Sequence, residues 1–244
     1  MQYDRFFWLH IKKSAGLTTA KLLQPYYVKL PVPGRVRKPR NFIQSDIEEY
    51  NDVLNNYRVV LGEYNFRRCL FAKKYLYKER WEDLHSFAFS REPVDRCISM
   101  FFYLFWDDPG LIKYRQFVRF YIQMKKLIVS RSYAFDVFLD MVVAAQENVS
   151  IYQPLGDHFS THTNPMWRDI TDDEGNVLLK QVYRLENLIE GVNQVFEICG
   201  IDERREKVTR RSIPARLDRS SVPPKLKLKK SSQFTQTTSR FSRN

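Results

Sequence analysis

Residues 13–19 combine the residue types that an anion-binding loop needs. A lysine supplies a cation, a serine supplies a hydroxyl, and an alanine and a glycine leave room for an oxyanion to approach the main chain. Two threonines then open a predicted helix, whose unpaired N–H groups and dipole favour negative charge. The segment therefore predicts a phosphate cradle. Its predicted anion-binding residues are Lys13, Ser14, Ala15, Gly16, Leu17, Thr18 and Thr19.

A second segment, residues 90–99, has the sequence SREPVDRCIS and also suits a phosphate. Arg91 ends a predicted strand, and Pro93 stands early in the following helix, where its missing N–H costs little. Ser99 lies two turns along that helix. Arg91 and Ser99 are therefore predicted to face one phosphate, the first as a bidentate cation and the second as a short donor.

Other residues in and beside these two segments are not predicted to contact a ligand. Arg96 is expected to order its own segment, and Lys12 is expected to face solvent. His10 lies in the first predicted strand. The bulky residues of MFFYLFW, residues 100–106, are expected to pack in the core as the second helix continues.

The cradle must be held by a strand and a helix. Five of the six residues from Phe6 to Ile11 are aromatic or aliphatic, and so short a run favours a buried strand. Further strands are predicted at 58–61, 86–90 and 178–185, each followed by a helical pattern. The predicted fold is α/β, a single P-loop-like domain with a central parallel sheet flanked by helices.

The two segments resemble the nucleotide-binding motifs of the PAPS-dependent sulfotransferases, in particular the carbohydrate-type and bacterial members. HIKKSAGLT resembles the loop that binds the 5′-phosphosulfate, with Leu17 where the family usually has Thr. REPVDRCIS resembles the 3′-phosphate motif R-[DE]-P-x-x-R-x-x-S. The resemblance covers roughly residues 5–200. It implies an enzyme that moves the sulfuryl group of PAPS to an acceptor hydroxyl, with a carbohydrate favoured, releases PAP and needs no metal.

Such a reaction needs charge stabilisation of the leaving group and a base. Lys13 would stabilise the leaving phosphate oxygen, and a base would take the proton of the acceptor hydroxyl. Glu63 is the first candidate because it follows Gly62 at a predicted strand end, although a strand-end Glu is equally compatible with a solvated charge. His158 is the second candidate, and His162 shares its polar loop, GDHFSTHTNPM, which resembles the acceptor-side stretch of carbohydrate sulfotransferases.

The charge of the chain leaves other functions open. The formal net charge is +12, and residues 201–244 contain 13 Lys or Arg against four Asp or Glu. We interpret residues 1–200 as the α/β domain and residues 201–244 as a basic, partly mobile extension. The resemblance implies that this extension partly covers the cofactor, through Arg210, Arg211 or Arg216. One rival is a nucleic-acid-binding protein that uses this tail. Another is a nucleotide kinase, which would need a Walker lysine after its glycine and a magnesium carboxylate.

Composition sets further expectations. No run approaches the roughly 18 to 20 apolar residues of a membrane span, and the first residues lead into the first strand rather than into a signal peptide, so a cytoplasmic location is expected. The three cysteines, Cys69, Cys97 and Cys199, have no paired spacing and are predicted to be reduced. No grouping of His, Cys and carboxylates predicts a metal site.

Overall fold

The sheet is parallel and three-stranded in a computed structural model that describes residues 6–26, 61–105, 131–147, 159 and 161–206. Strand β1 is Phe6–Leu9, β2 is His85–Ser90 and β3 is Gln181–Arg184. The strands pair in the order β1-β2-β3, with β2 in the centre. All three carboxyl ends therefore lie at one edge of the sheet, where open α/β sheets bind their ligands.

Helices connect and cover these strands. The α-helices are α1 (Gly16–Leu22), α2 (Arg68–Phe71), α3 (Pro93–Met100), α4 (Arg131–Glu147), α5 (Met166–Ile170) and α6 (Leu188–Ile198). Short 3-10 helices are Gly62–Phe66, Lys78–Glu82 and Leu185–Asn187, and π-helical turns are Ala72–Tyr77 and Phe101–Phe105. The described part of the chain is thus α/β, as predicted.

Both faces of β1 and β2 are largely buried, which explains why these two strands are mostly apolar, whereas β3 exposes Gln181 and Arg184. Alternate side chains of a strand point to opposite faces. Phe7 and Leu9 of β1 pack in one hydrophobic cluster, which also contains Trp81. Phe6 and Trp8 pack in the other, against Phe196 and its neighbours on α6. A third cluster joins α3 and the π-helical turn after it to α4.

The helix ends follow the sequence signals. Glu92 precedes Pro93 and accepts a hydrogen bond of 2.8 Å from the N–H of Asp95, which caps α3. Gly200 ends α6 with a φ of 63°, while the N–H of Ile201 donates to the carbonyl of Phe196 at 2.8 Å. A helix that ends in this Schellman pattern needs a residue that tolerates a positive φ, and glycine does.

Several predictions reach residues that the structure does not describe. Residues 58–60 of the predicted second strand lie outside the described ranges, and Leu61 precedes a 3-10 helix. The strand predicted at 178–185 is shorter, since β3 begins at Gln181. Of the predicted basic extension, residues 201–206 are described, and there the guanidinium of Arg205 donates to the carbonyl of Leu22 at 2.7 Å. Within the described ranges, no helix is both long and apolar enough to cross a membrane.

Candidate anion-binding site

The loop between β1 and α1 has an unusual backbone. Lys13 has a φ of 68° and Ala15 a φ of 55°, both in the left-handed region that non-glycine residues rarely adopt. The first hydrogen bond of α1 runs from the N–H of Thr19 to the carbonyl of Ala15 at 2.9 Å. The amides of residues 16–18 therefore precede the helical ladder, and amides in such a concave turn suit an anion.

Position 16, at the start of α1, requires a glycine because the His10 ring lies against it. A Cβ atom built on Gly16 would lie 1.8 Å from Nε2 of His10, so no larger residue fits without movement. The His10 ring is itself held by stacking on Trp8, with ring centroids 5.6 Å apart. Desolvation lowers the pKa of His10 well below its ordinary value, and the positive charge of Lys12 lowers it further. His10 is therefore a neutral ring that backs the loop.

Arg91 brings the second predicted segment to the cradle. It follows β2, the strand beside β1, and its Nη1 donates a hydrogen bond of 3.2 Å to the carbonyl of Lys13. Burial lowers the pKa of the half-buried Arg91 guanidinium, while Asp95, Glu186 and Glu92 oppose that shift. The two segments that sequence analysis singled out independently are thus joined. Ser99, on α3, is partly buried.

Arg96 ties the loop to residues 161–164. Its Nε donates to the carbonyl of Lys12 at 3.0 Å, and its Nη2 donates to the carbonyls of His162 and Asn164, each at 3.0 Å. The side chain is buried, which lowers its pKa to about 10. Arg96 was predicted to order its own segment, but it orders the neighbouring loop and a distant part of the chain as well.

Lys12 does not face solvent, so that prediction was wrong. Its side chain is buried, and Nζ lies 3.5 Å from Nδ1 of His10. The two lysines of the loop therefore have different surroundings. Lys12 lies beneath the loop, whereas Nζ of Lys13 lies 3.9 Å from the centroid of the Tyr103 ring.

Tyr103 was missed by sequence analysis, which assigned its whole segment to the core. Phe101 and Leu104 do pack in the core, but Tyr103 is 37% exposed and faces the cradle. Its ring also lies against His162, with centroids 5.0 Å apart. The direction of Tyr103 follows from the π-helical turn at Phe101–Phe105, which changes the register of the helix. The spacing of the residues in the sequence does not predict a π-helical turn.

Buried polar groups lie beneath the loop. The hydroxyl of Ser14 is buried without a hydrogen-bond partner, and the buried side chains of Asn164 and Asp169 interact with each other. Burial raises the pKa of the Asp169 carboxyl, and the positive charge of the buried Arg68 opposes that rise. Such groups are costly to leave unsatisfied and often mark functional regions.

The other predicted cradle residues differ in exposure. Leu17 is 74% exposed, and Thr18 is partly exposed. Thr19 is buried, and its hydroxyl donates to the carbonyl of Ala15 at 3.1 Å. That hydroxyl is turned back into the helix, so the backbone of the loop and the side chain of Lys13 are the groups best placed for a ligand.

The two candidate bases remain predictions. Glu63 lies in the 3-10 helix Gly62–Phe66, and its side chain is outside the described part of the structure. His158 lies outside the described residues. His162, from the same predicted loop, is buried beside Tyr103. Among the described residues, no three His, Cys, Asp or Glu side chains are grouped to hold a metal ion.

Comparisons with protein-family models, with curated proteins and with solved structures give no match to this chain.

Proposed function

We propose that this protein is a sulfotransferase that moves the sulfuryl group of PAPS to an acceptor hydroxyl, with a carbohydrate as the favoured acceptor, in a P-loop-like α/β domain. The hydrogen bond between Arg91 and the carbonyl of Lys13 carries the proposal. It joins a segment that resembles a 5′-phosphosulfate loop to one that resembles a 3′-phosphate motif. Loops that follow neighbouring parallel strands meet at one edge of any such sheet, so the specific support is the direct contact between Arg91 and the loop.

The chemistry of the cradle suits a nucleotide with two anionic ends. Residues 10–19 contain no carboxylate, and they supply two lysines and a left-handed turn whose amides precede α1. Arg91 uses one of its five N–H donors on the loop, and its fork geometry suits a phosphate. The buried hydroxyl of Ser14 has no partner, so it is a further polar group at this loop that a bound state can satisfy.

PAPS, when bound, supplies a sulfuryl group on a mixed anhydride. Lys13 would neutralise the negative charge that develops on the leaving phosphate oxygen. Arg91 and Ser99 would hold the 3′-phosphate end, which fixes the nucleotide for an in-line transfer that depends mainly on positioning and charge. Glu63, with His158 as the alternative, would take the proton of the acceptor hydroxyl.

Calorimetric titration with adenosine 3′,5′-bisphosphate (PAP) tests the nucleotide site. The wild type should bind PAP much more tightly than AMP, which lacks the 3′-phosphate. Arg91→Ala should weaken PAP binding by about 10- to 100-fold, as loss of a charge-assisted bond predicts, and should weaken AMP binding less, through the lost hydrogen bond to the loop.

Arg80→Ala is the matched control. Arg80 is an exposed arginine in the 3-10 helix before β2, at the opposite edge of the sheet, so its loss should not change PAP binding. Circular dichroism should establish that both variants are folded. Wild-type protein that binds neither nucleotide at low salt would overturn the proposal.

Turnover tests the reaction itself. Radiolabelled PAPS should transfer its label to at least one member of a panel of glycan, lipid and tyrosine-peptide hydroxyl acceptors without added metal. Lys13→Ala should lower kcat by at least about 100-fold, because it removes a charge that interacts with the transition state. Hydrolysis or transfer from ATP that requires Mg²⁺ would instead favour the kinase alternative.

A further inference from the structure

The side chain of Lys13 has a partner that neither sequence segment contains. Its ammonium lies over the face of the Tyr103 ring, 3.9 Å from the centroid. A cation at this distance is attracted by the negative face of the aromatic ring. The contact connects the loop after β1 to the π-helical turn after α3, two elements that are far apart in sequence.

The ring of Tyr103 is fixed from below. Phe101 and Leu104, its neighbours in the π-helical turn, are buried in the cluster formed with α4. On one side the ring lies against His162, whose carbonyl accepts a hydrogen bond from the buried Arg96. The π-helical turn, the core beneath it and Arg96 together therefore set the position of the ring face.

The backbone of Lys13 is fixed from the other direction. Its φ of 68° is a costly conformation that the surroundings must maintain, and Arg91 binds its carbonyl. A lysine side chain has many rotamers, so a held backbone alone does not place its ammonium. The Tyr103 ring supplies a constraint on the ammonium itself.

We propose that Tyr103 is a positioning residue that holds the Lys13 ammonium at the cradle, ready for the leaving phosphate oxygen. The role in turnover rests on the sulfotransferase function proposed above. The constraint on Lys13 itself is a property of the ligand-free protein and can be measured separately. The aromatic face acts in this role, and the phenolic hydroxyl is not needed for it.

Two substitutions separate the ring from the hydroxyl. Tyr103→Phe keeps the aromatic face, and Tyr103→Leu removes it while keeping an apolar side chain. Tyr75→Leu is the matched control, because Tyr75 is 39% exposed, comparable with Tyr103, and packs against Tyr64 and Phe71 instead of the cradle. Thermal unfolding should establish that all three variants are folded.

The first readout needs no nucleotide. Acetylation of Lys13 by a limiting amount of an amine-reactive ester is followed by peptide mass spectrometry, with Lys180 as the internal reference. Lys180 is suitable because it is exposed and directly precedes β3, at the edge of the sheet opposite the cradle. Tyr103→Leu should raise the relative rate at Lys13 by about 3- to 30-fold, the range expected for loss of a cation–π contact, whereas Tyr103→Phe and Tyr75→Leu should match the wild type.

The second readout is turnover with PAPS. Tyr103→Leu should lower kcat by about 3- to 30-fold with a smaller change in the KM for PAPS. Tyr103→Phe should have a kcat close to that of the wild type. An unchanged Lys13 rate and an unchanged kcat in Tyr103→Leu would overturn the inference. A changed Lys13 rate in a protein that neither binds PAP nor transfers sulfate would support the contact while overturning the sulfotransferase function.

Discussion

At the scale of the residue, Gly16 and His10 form a pair in which each restricts the other. The glycine leaves the space that the His10 ring fills, and the ring cannot withdraw easily because it stacks on Trp8. The nearest atom is part of a rigid ring rather than the end of a flexible chain. A methyl group at position 16 must therefore displace the ring or the loop.

Gly16→Ala should lower the free energy of unfolding by about 2 kcal/mol, the usual cost of overpacking, and should weaken PAP binding. Urea denaturation of the wild type, Gly16→Ala, His10→Ala and the double variant gives a double-mutant cycle. In the double variant the alanine at position 16 should be tolerated, since the clashing ring is gone. Equal costs of Gly16→Ala in both backgrounds would mean that the contact with His10 does not explain the glycine.

The stability of the protein should fall below about pH 6.5, the ordinary pKa of histidine. Desolvation and then the charges of Lys12 and other cations lower the pKa of folded His10, so below this pH the unfolded chain binds more protons than the folded one. Stability therefore rises with pH in this window and is lost as pH falls, at up to about 1.4 kcal/mol per pH unit.

His10→Gln should remove that part of the pH dependence, as measured by urea denaturation between about pH 7.5 and about pH 5.5. A smaller dependence of the same sign should remain, because burial also lowers the pKa of His85. Parallel curves for the wild type and His10→Gln would contradict the prediction.

At the scale of the element, Arg96 connects three segments. It leaves α3 and binds carbonyls of the cradle loop and of residues 161–164. Arg96→Met keeps an extended apolar side chain but leaves three buried carbonyls without this donor, so we expect a loss of about 3 kcal/mol in the free energy of unfolding. Arg96→Lys should recover part of it, because an ammonium donates but lacks the planar fork.

Arg80→Met is the control for this measurement, since Arg80 is exposed and its loss should change the free energy of unfolding by less than about 0.5 kcal/mol. PAP binding should weaken in Arg96→Met as the loop loses its anchor. A variant as stable as the Arg80→Met control would show that the three hydrogen bonds of Arg96 are replaced by other interactions.

The elements differ in how far they could be predicted. Helix α3 was predicted from a local signal, Pro93 in its first turn, and Gly200 is a signal of the same kind at the end of α6. The π-helical turn was not predicted, because aromatic residues suit an α-helix and a π-helix equally well. Tyr103 was not predicted at the site for that reason, because the register of the helix, and not the residue type, turns its side chain toward Lys13.

At the scale of the whole molecule, the parallel sheet explains why the two predicted phosphate segments could be found separately and still belong together. Each follows an apolar strand, and neighbouring parallel strands end at one edge. What the sequence could not supply was the set of contacts across that edge. Lys12 and Lys13 are adjacent and chemically identical, yet one is buried beside His10 and the other lies over Tyr103.

The net charge of +12 and the excess of basic residues in 201–244 act on a larger scale than the cradle. A basic surface attracts any polyanion, whereas the cradle would select a bisphosphate through a few placed groups. Binding of a nucleic acid to the basic surface should depend on salt more strongly than binding of a bisphosphate in the cradle, because binding to a nucleic acid releases counterions condensed on its backbone.

Raising salt from about 50 to about 200 mM should weaken binding of single-stranded oligouridine by at least about 100-fold and binding of PAP by less than about ten-fold. Replacing Lys225, Lys227, Lys229 and Lys230 with Gln should weaken oligouridine binding and leave the Kd for PAP within about twofold. Arg91→Ala should have the opposite pattern. Fluorescence anisotropy with the oligonucleotide and calorimetry with PAP measure the two ligands on the same variants. If the four-lysine variant and Arg91→Ala each weakened the binding of both ligands equally, binding would follow total charge. Nucleic-acid binding would then explain this protein better than a nucleotide cradle.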